Sequence, residues 1–414
     1  MSERERGFTT RILHADREGG VEHGSLHAPI HTSVAYGYDD ARDLAAVFQG
    51  TRPGFSYGRQ SNPTVEALQR KITRMEEGVG TIAFGTGMGA LGSMLFALLR
   101  EGDHVVSSTF LFGNTNSLLR TFDGLGLAVD FVDATDADAV AAALRPETRL
   151  VFAETIANPR TQIADLEGIG ALCRERGILF VVDNTMTSPW LFRPKSVGAG
   201  LVINALTKYI GGHGAALGGA VTDTGVFDWS GFPNILDVYR SQPVERWGLQ
   251  QLRKKGLRDF GASLGPEAAH HIALGAETLA LRLDRACANA AALAASLDGH
   301  DRVRRVYHPS LPAHPQHARA RRLFLHPGAI LSFELDPAID PFAFLNALEV
   351  VVLSSNLGDT RTLAIPVAHT IYHEMGPARR AEMGIEDSLI RVSVGIEEQA
   401  DLLGDFAQAL ERTD

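Results

Sequence analysis

The chain has 414 residues, enough for two domains with sizeable cores, and its 45% hydrophobic and 21% charged content is ordinary for a globular protein. Its formal net charge of -10 argues against a general nucleic-acid binder, although a local basic pocket for a phosphorylated ligand is compatible with it. The two cysteines, Cys173 and Cys287, are far apart and predict neither a disulfide framework nor a metal site.

The N-terminal segment is polar and lacks the apolar core of a signal peptide, and no apolar run approaches the length of a membrane span. We therefore expect a cytoplasmic protein without membrane contact. Residues 1–60 show weak periodicity and many turn formers, which favours an extended N-terminal arm. The arm leads through FSYGRQSNPT, residues 55–64, into a predicted helix VEALQRKITRMEEG, for which Thr64 is a candidate cap.

Between about residues 80 and 225 the pattern alternates between strands and helices. The run TIAFGTGMGALGSMLFALL predicts a turn that leads into a helix. The predicted strands are DHVVSST, AVDFVDA, LVFAETI, ILFVVD, LVINAL and AALGGAVTD, and the helices among them are DADAVAAAL and LEGIGALCRERG. This alternation predicts an α/β protein whose mostly parallel sheet is covered by helices.

The C-terminal part predicts a smaller α+β domain. Residues 226–262 should be mostly helical with loops, and the alanine-rich run from Glu267 to Leu297 predicts one long helix. After it, VRRVYHP, GAILSFELD, EVVVLSS and DSLIRVSVG alternate with helices. We therefore expect an arm at 1–60, a large α/β domain at 61–262 and a C-terminal domain at 263–414.

Two residues at the ends of neighbouring predicted strands carry the strongest chemical signal. ILFVVD ends on Asp183, and LVINAL leads to Thr207-Lys208 and a glycine-rich turn. In open α/β sheets such strand ends face one ligand-binding crevice. Alone, Asp183 is typical of a turn and Lys208 of a solvated surface. Together they provide what pyridoxal 5'-phosphate (PLP) needs, a Schiff-base lysine and an acid for the ring nitrogen.

Other motifs in the chain agree with this site, although each has an ordinary structural explanation. The glycine turn at residues 85–90 precedes a helix and offers backbone N–H groups to an anion, but such turns are also common for steric reasons. Phe112 could stack on a planar ring or belong to the core, and Asn158 could bind a phenolic oxygen or form a turn. Arg391, within an apolar strand, could bind a substrate carboxylate or an internal acid.

With these motifs in register, the chain resembles the Cys/Met-metabolism family of PLP-dependent enzymes. The family includes cystathionine γ-synthases, cystathionine lyases, methionine γ-lyases and O-acylhomoserine sulfhydrylases. The resemblance runs from about residue 8 to 410 and rests on YGRQSNPT at 57–64, the glycine turn at 85–90, ETIANP at 154–159, VDNT at 182–185, TKYIGGHG at 207–214 and RVSVGIE at 391–397. It implies the aspartate-aminotransferase type of PLP-dependent transferase fold.

The resemblance also implies roles for individual residues. Lys208 resembles the Schiff-base lysine, Asp183 the partner of the ring nitrogen, and Phe112 the residue stacked on the ring. Asn158 is similar to the residue at the ring hydroxyl, while Gly87, Met88 and Thr207 resemble the phosphate-binding groups. Arg391 resembles the clamp for the substrate carboxylate, with Asn356 nearby. Tyr57 and Arg59 resemble a pair that reaches the cofactor phosphate, and Tyr57 also the substrate, in a neighbouring subunit, which implies active sites shared across a dimer and a homotetramer.

Several positions depart from the family pattern. Ala205 stands where serine is usual and removes a phosphate-binding hydroxyl, and Phe112 stands where tyrosine is usual and removes a phenol. Asn114 stands where methionine γ-lyases carry cysteine. Asn356 opens NLGD, which is more similar to acylhomoserine sulfhydrylases than to lyases, and the following AIPVAHTIYHEM lacks the usual His-Pro.

These features predict replacement of the γ-acyl group of an O-acylhomoserine by sulfide or a thiol, as in transsulfuration and methionine biosynthesis. The alternative is a γ-lyase that eliminates the γ-substituent of methionine, cystathionine or an O-linked homoserine analogue such as canavanine. A regulatory or binding protein on the same fold is a third hypothesis, which the intact Asp183 and Lys208 pair disfavours.

Overall fold

The computed structural model describes residues 6–18 and 20–413. Its larger sheet has seven strands in the order β1-β7-β6-β5-β4-β2-β3. These strands are β1 (Gly80–Phe84), β2 (His104–Ser108), β3 (Ala128–Val132), β4 (Thr148–Glu154), β5 (Leu179–Asp183), β6 (Leu201–Asn204) and β7 (Gly219–Asp223). β7 pairs antiparallel with both of its neighbours, and the other neighbouring strands pair in parallel.

Helices cover both faces of this sheet. Phe180 and Val182 of β5 belong to one hydrophobic cluster, whereas Leu179 and Val181 belong to a cluster on the opposite face. A parallel strand that is buried on both faces needs a continuous apolar run, which is what ILFVV supplies. The helices of this region are α3 (Pro63–Glu76), α4 (Gly87–Leu98), α5 (Gly113–Asp123), α6 (Ala137–Ala143), α7 (Leu166–Arg176), α8 (Ser188–Leu191) and α9 (Trp247–Gln251), which continues as a π-helix at Leu252–Asp259.

A second sheet of five strands forms the C-terminal part in the order β10-β11-β12-β9-β8. Its strands are β8 (Val303–Tyr307), β9 (Ile330–Leu335), β10 (Val352–Leu353), β11 (Leu363–Pro366) and β12 (Leu389–Ser393). The helices here are α10 (Pro266–Glu277), α11 (Leu279–Leu297), α12 (His317–Leu323), α13 (Pro341–Ala347), α14 (Gly376–Glu382) and α15 (Gln399–Arg412). Leu293, Phe333 and Phe406 join α11, β9 and α15 in one buried cluster.

The N-terminal arm is less extended than predicted. It contains α1 (Phe8–His14) and α2 (Ala41–Gln49), and Phe8 and Ile12 are buried in the core of the large sheet. The cap of α3 also differs from the prediction, because Asn62 accepts hydrogen bonds from the backbone N–H groups of Thr64 and Val65. The Thr64 hydroxyl instead bonds the Pro29 carbonyl and so fastens the arm to α3. The domain boundaries at 60 and 262 stay predictions.

Three elements differ from their sequence prediction. The run that begins at Thr81 contributes most of strand β1 before the turn, and β11 lies in a segment for which the sequence predicts no strand. The expected long helix breaks at Thr278 into α10 and α11. There the Arg282 guanidinium donates a 2.7 Å hydrogen bond to the Gly275 carbonyl and stabilises the end of α10.

Within the described ranges, no helix is long and apolar enough to span a membrane. The same residues contain no group of three or more His, Cys, Asp or Glu side chains placed to hold a metal ion.

Candidate active site

A cavity of about 360 Å³ lies at the carboxyl ends of β1, β4, β5 and β6, and Arg391 of β12 in the second sheet also lines it. This is the edge of a parallel sheet at which ligands are expected to bind. Most of the predicted site residues line it, namely Gly87, Met88, Phe112, Asn158, Asp183, Thr207, Lys208, Asn356 and Arg391. The structure therefore brings together residues from Gly87 to Arg391, which are more than three hundred positions apart in the chain.

Lys208 reaches the cavity four residues after the end of β6. Its Nζ donates a 2.6 Å hydrogen bond to Oδ1 of Asn356, which lies on the loop before β11. Burial, reinforced by the positive charge of Arg391, lowers the pKa of Lys208 from 10.5 to about 8. A substantial fraction of this amine is therefore neutral near physiological pH, as a nucleophile requires.

Two carboxyl groups lie side by side at the ends of β4 and β5. Glu154 and Asp183 are register partners on these parallel strands, and both line the cavity. Burial raises the pKa of both groups, and the nearby Asp183 raises that of Glu154 further. Asp183 Oδ1 accepts a 2.9 Å hydrogen bond from the Thr185 N–H, which helps to keep it charged. A positive charge next to Asp183 would offset the cost of burying its negative charge beside Glu154.

Glu154 is not among the predicted site residues, although it begins the ETIANP motif. Its Oε1 accepts a 2.7 Å hydrogen bond from the backbone N–H of Phe112. Phe112 is the N-cap residue of helix α5. The sequence signal that indicates Glu154 is its position near the end of a predicted strand, LVFAETI, as Asp183 ends ILFVVD. Other lining residues that sequence reasoning missed are Thr86, Leu91, Thr115, Thr185, Met186, Leu217, Ser355, Leu357 and Ile371.

The first turn of α4 presents free N–H groups to the cavity. The Thr86 side chain accepts from the Gly89 N–H and its carbonyl accepts from the Ala90 N–H, so the preceding amides of Gly87 and Met88 have no partner within the helix. A Cβ added at Gly87 would lie only 2.8 Å from Ala205 Cβ, so glycine is needed for this close approach. The turn thus forms a cradle for an anion.

Ala205 has no hydroxyl, but two threonines that line the cavity with it, Thr185 and Thr207, each have one. The Thr207 hydroxyl lines the cavity and accepts a 3.0 Å hydrogen bond from the Gly218 N–H. The Thr185 hydroxyl also lines the cavity and accepts a 2.8 Å hydrogen bond from the Ala205 N–H, which leaves its own proton for another acceptor.

Asn158 and Arg391 have polar atoms that are buried without a partner. Asn158 is 4% exposed, and its Oδ1 accepts no hydrogen bond from any described residue. The Nη2 atom of Arg391 donates to the carbonyls of Ser355 and Asn356 at 3.0 and 2.8 Å, but its Nε has no hydrogen-bond partner in residues 6–18 and 20–413. The predicted alternative, an internal salt bridge for Arg391, is absent from the ion pairs of those residues. Burial lowers the pKa of Arg391 to about 10, so the group stays cationic and suits a carboxylate.

Tyr57 and Arg59 lie outside the cavity of their own chain. Tyr57 is 45% exposed, and the Arg59 guanidinium stacks over its ring at 5.5 Å while donating to the Arg258 carbonyl. Neither side chain lines the cavity. The pair therefore contributes nothing to the lining of the cavity in its own chain.

The lining fits PLP group by group. The cradle at Gly87 and Met88, with the hydroxyls beside it, matches a phosphate, and Asp183 matches a protonated ring nitrogen. The unpartnered Asn158 Oδ1 matches a ring hydroxyl, and Lys208 matches the aldehyde.

Comparisons with known proteins give the same cofactor and a narrow range of activities. A family model described as Cys/Met metabolism PLP-dependent enzyme matches residues 9–411. An L-methionine gamma-lyase from Pseudomonas putida is 36% identical over 98% of this chain and 97% of its own length. An O-acetyl-L-homoserine sulfhydrylase from Thermus thermophilus is 36% identical over 97% of this chain and 99% of its own.

Two solved structures extend the comparison to the fold. A cystathionine gamma synthase from Xanthomonas oryzae pv. oryzae superposes with a TM-score of 0.87 at 33% identity and covers 98% of both chains. A candidate O-acetylhomoserine (thiol)-lyase from Campylobacter jejuni gives a TM-score of 0.93 at 28% identity, over 98% of this chain and 100% of the other, and carries a pyridoxyl-lysine phosphate.

Proposed function

This chain belongs to the Cys/Met metabolism family of PLP-dependent enzymes, and from that premise we propose that it replaces the γ-acyl ester of an O-acylhomoserine by sulfide or a thiol. Sulfide would give homocysteine, and cysteine would give cystathionine. The coarser statement needs no proposal, because the family and its relatives show a PLP-dependent enzyme of sulfur amino-acid metabolism that replaces or eliminates a γ-substituent.

The family match also confirms four sequence predictions, namely the family resemblance, the PLP-dependent transferase fold, the enzyme class and the cofactor. The roles of individual residues remain part of the proposal. We assign the phosphate to the amides of Gly87 and Met88 with the Thr207 hydroxyl, and the ring to Asp183, Asn158 and Phe112.

When PLP is bound in this cavity, it supplies an electron sink for negative charge that develops on the substrate. Lys208 moves protons at Cα and Cβ of the substrate, a role that its pKa of about 8 suits because the amine is available in both protonation states near neutral pH. Asn356 holds the Lys208 amine on the side of the cavity where Arg391 lies. Arg391 binds the α-carboxylate and orients the γ-carbon.

One observation favours an ester as the leaving group. The ionisable side chains among the described lining residues are Glu154, Asp183, Lys208 and Arg391, and the lining has no tyrosine, histidine or cysteine. Glu154 and Asp183 lie at the ends of β4 and β5. Lys208 is assigned to protons at Cα and Cβ of the substrate, and Arg391 is assigned to its α-carboxylate. A thiolate departs poorly without a proton donor, whereas a carboxylate departs as a stable anion. The lining that one chain supplies therefore has no dedicated acid beside the leaving group, which supports γ-replacement on an O-acyl substrate. In the proposed assembly the phenol of Tyr57 would come from the neighbouring subunit.

The second candidate is γ-elimination. The relatives include an L-methionine gamma-lyase as similar in sequence as the sulfhydrylase. An elimination would use the same residues and release a keto acid and ammonia without a sulfur nucleophile.

An assay of substrate pairs separates the two candidates. O-acetylhomoserine, O-succinylhomoserine, methionine, cystathionine and canavanine are supplied with and without sulfide, while keto acid and thiol products are measured. If an ester gives a thiol product only when sulfide is present, the result supports the proposal. Keto acid that forms equally well without sulfide would establish the lyase. Lys208→Ala is the control, since it should abolish the visible absorbance of the attached cofactor together with turnover.

We further propose that the active site is completed by a second copy of the chain within a homotetramer. The exposed Tyr57 and Arg59 pair supports this, since family resemblance assigns the pair to the cofactor phosphate of a neighbour, and the pair lies outside the cavity of its own chain. The small-molecule partners that we propose are an amino-acid substrate and sulfide or a thiol.

A further inference from the structure

A short segment between β11 and α14 closes one side of the cavity. We name residues 367–375 the strap. Its backbone forms successive turns, in which the N–H groups of Thr370 and Tyr372 both bond the Val367 carbonyl, at 3.3 and 3.2 Å. The strap packs with Tyr307, Ile385 and Leu389 in a small buried cluster of the C-terminal part.

Tyr372 joins the strap to two segments that carry predicted cofactor ligands. The side chain is 1% exposed, and its hydroxyl donates a 2.8 Å hydrogen bond to the Asn158 carbonyl, with the Leu111 carbonyl at 3.5 Å. Asn158 is itself a proposed ring ligand, and Leu111 precedes Phe112. Burial and the nearby Glu154 raise the pKa of Tyr372, so the hydroxyl remains protonated and available as a donor.

The strap also contributes directly to the wall of the cavity. Ile371 lines the cavity together with Phe112. The Ile371 carbonyl would lie 3.8 Å from a Cβ at Gly113, and Met375 Cε would lie 4.0 Å from it, so the strap rests against the first turn of α5. Because Tyr372 follows Ile371 immediately, the hydroxyl contact fixes where Ile371 stands relative to Phe112.

We propose that Tyr372 is a positioning residue that holds the strap against the Phe112 and Asn158 segments and thereby sets how large a γ-substituent the cavity admits. The inference rests on the proposed function. Tyr372 does not replace the phenol that Phe112 lacks, because its proton is donated to a backbone carbonyl and its ring does not line the cavity. Its contribution is to fix the distance between the apolar side chains of Ile371 and Phe112.

The test compares Tyr372→Phe with Tyr307→Phe. Tyr307 belongs to the same buried cluster, but its hydroxyl donates to Glu334 on β9 and accepts a 3.4 Å hydrogen bond from Arg160, and neither partner lines the cavity. The first measurement is the ratio of kcat/KM for O-acetylhomoserine to that for O-succinylhomoserine, which differ in the length of the leaving group. Tyr372→Phe should change this ratio by about tenfold, the scale of one lost buried hydrogen bond, while Tyr307→Phe leaves it unchanged.

The second measurement does not depend on turnover. In the cofactor-free protein, hydrogen exchange of peptides that cover the strap should accelerate about tenfold in Tyr372→Phe and not in Tyr307→Phe. A wild-type ester ratio with wild-type exchange in Tyr372→Phe would overturn the inference, as would equal changes in both variants.

Failure of the proposed function looks different. If the wild-type enzyme uses neither ester but eliminates from methionine, the ester proposal fails. The strap is then tested by the same ratio for methionine and its S-ethyl homologue. A change confined to Tyr372→Phe would support the inference, and an unchanged ratio would overturn it.

Discussion

At the scale of single residues, Lys208 has a low pKa for two separate reasons. Burial disfavours its charged form, and Arg391 adds repulsion from the same cavity. Arg391 is therefore assigned two functions, one toward the substrate carboxylate and one toward the lysine. These functions can be separated by measuring cofactor attachment in the absence of substrate.

We predict that the rate at which PLP attaches to the cofactor-free protein rises with pH and levels off above about 8, since only the neutral amine attacks the aldehyde. Arg391→Gln should move the midpoint to higher pH, because it removes the repulsion that lowers the pKa of Lys208. Stopped-flow absorbance measures the rate, and Arg361→Gln, which changes a 67% exposed side chain, is the control. An unchanged midpoint in Arg391→Gln would show that burial alone lowers the pKa.

The wall at Phe112 gives a second prediction. Phe112→Tyr introduces a phenol into a cavity lining that has no tyrosine among the described residues, and it should assist a leaving group that needs a proton. We expect elimination from methionine to rise by at least about tenfold, while turnover of the preferred O-acyl ester changes by less than about threefold. Steady-state kcat values for the two substrates decide the outcome. A parallel rise for both would contradict the role assigned to the missing acid.

The sequence located some of these residues and missed others for a physical reason. Asp183 and Lys208 could be predicted because strand ends in an open sheet share one crevice. Glu154 has the same placement, but strand order was needed to show that β4 lies beside β5. Tyr372 is harder still to predict from the sequence, because its proposed function depends on a contact with Asn158, 214 positions away in the chain.

At the scale of elements, a buried carboxyl group connects three of them. Glu76, near the end of α3, is fully buried and accepts hydrogen bonds from Nδ2 of Asn184 and of Asn204, at 3.0 and 2.7 Å. Asn184 follows Asp183, and Asn204 ends β6 four residues before Lys208. Glu76 thus ties together the two strand ends that carry the central pair of the site.

Glu76 should make stability depend on pH. Burial raises its pKa from 4.5 to about 7 in the folded protein, so the stability it contributes is fully present below pH 4.5 and is lost as the pH rises through about 7. Glu76→Gln should therefore gain up to about 3 kcal/mol relative to the wild type between about pH 4 and pH 8. Urea unfolding of both proteins across this range measures the difference.

Glu175→Gln is the matched control for this experiment, because its 76% exposed side chain lies on α7, outside the buried network. It should follow the wild type at every pH. A difference between Glu76→Gln and the wild type that stays constant with pH would mean that Glu76 does not titrate in this range.

Sequence patterns predicted most of the central sheet because buried parallel strands are apolar throughout. They missed β11, whose four residues end in a proline, and the break between α10 and α11. That break depends on the Arg282 guanidinium, which also donates to the carbonyls of Tyr209 and Ile210 just after Lys208. Such a tertiary contact has no local signature in the sequence.

At the scale of the whole molecule, the N-terminal arm exposes several large apolar side chains. Leu26, Val34 and Phe48 are 82%, 67% and 66% exposed, and Tyr57 lies at the end of the same segment. An interface with a second chain would remove these side chains from water. The arm therefore favours an interface through which Tyr57 and Arg59 reach a second copy of the chain.

Two inactive variants should restore each other if the active site is shared. Lys208→Ala removes the nucleophile of its own cavity, and Arg59→Ala removes the residue assigned to the neighbouring one. In a mixed dimer, one cavity carries both changes and the other carries neither. Random reassembly of equal amounts should therefore recover about a quarter of the wild-type activity.

The variants are mixed after mild denaturation and refolding, and turnover is measured against each variant treated alone. Arg361→Ala mixed with Lys208→Ala is the control and should give only the activity that Arg361→Ala contributes, because Arg361 lies on the loop after Asn356 of its own chain and outside the cavity lining. If the Lys208→Ala and Arg59→Ala mixture stays inactive although size measurements show hybrid assemblies, Arg59 serves its own chain and the shared-site proposal fails. Recovery would instead place the exposed Tyr57 and Arg59 pair at the cofactor of the neighbouring subunit.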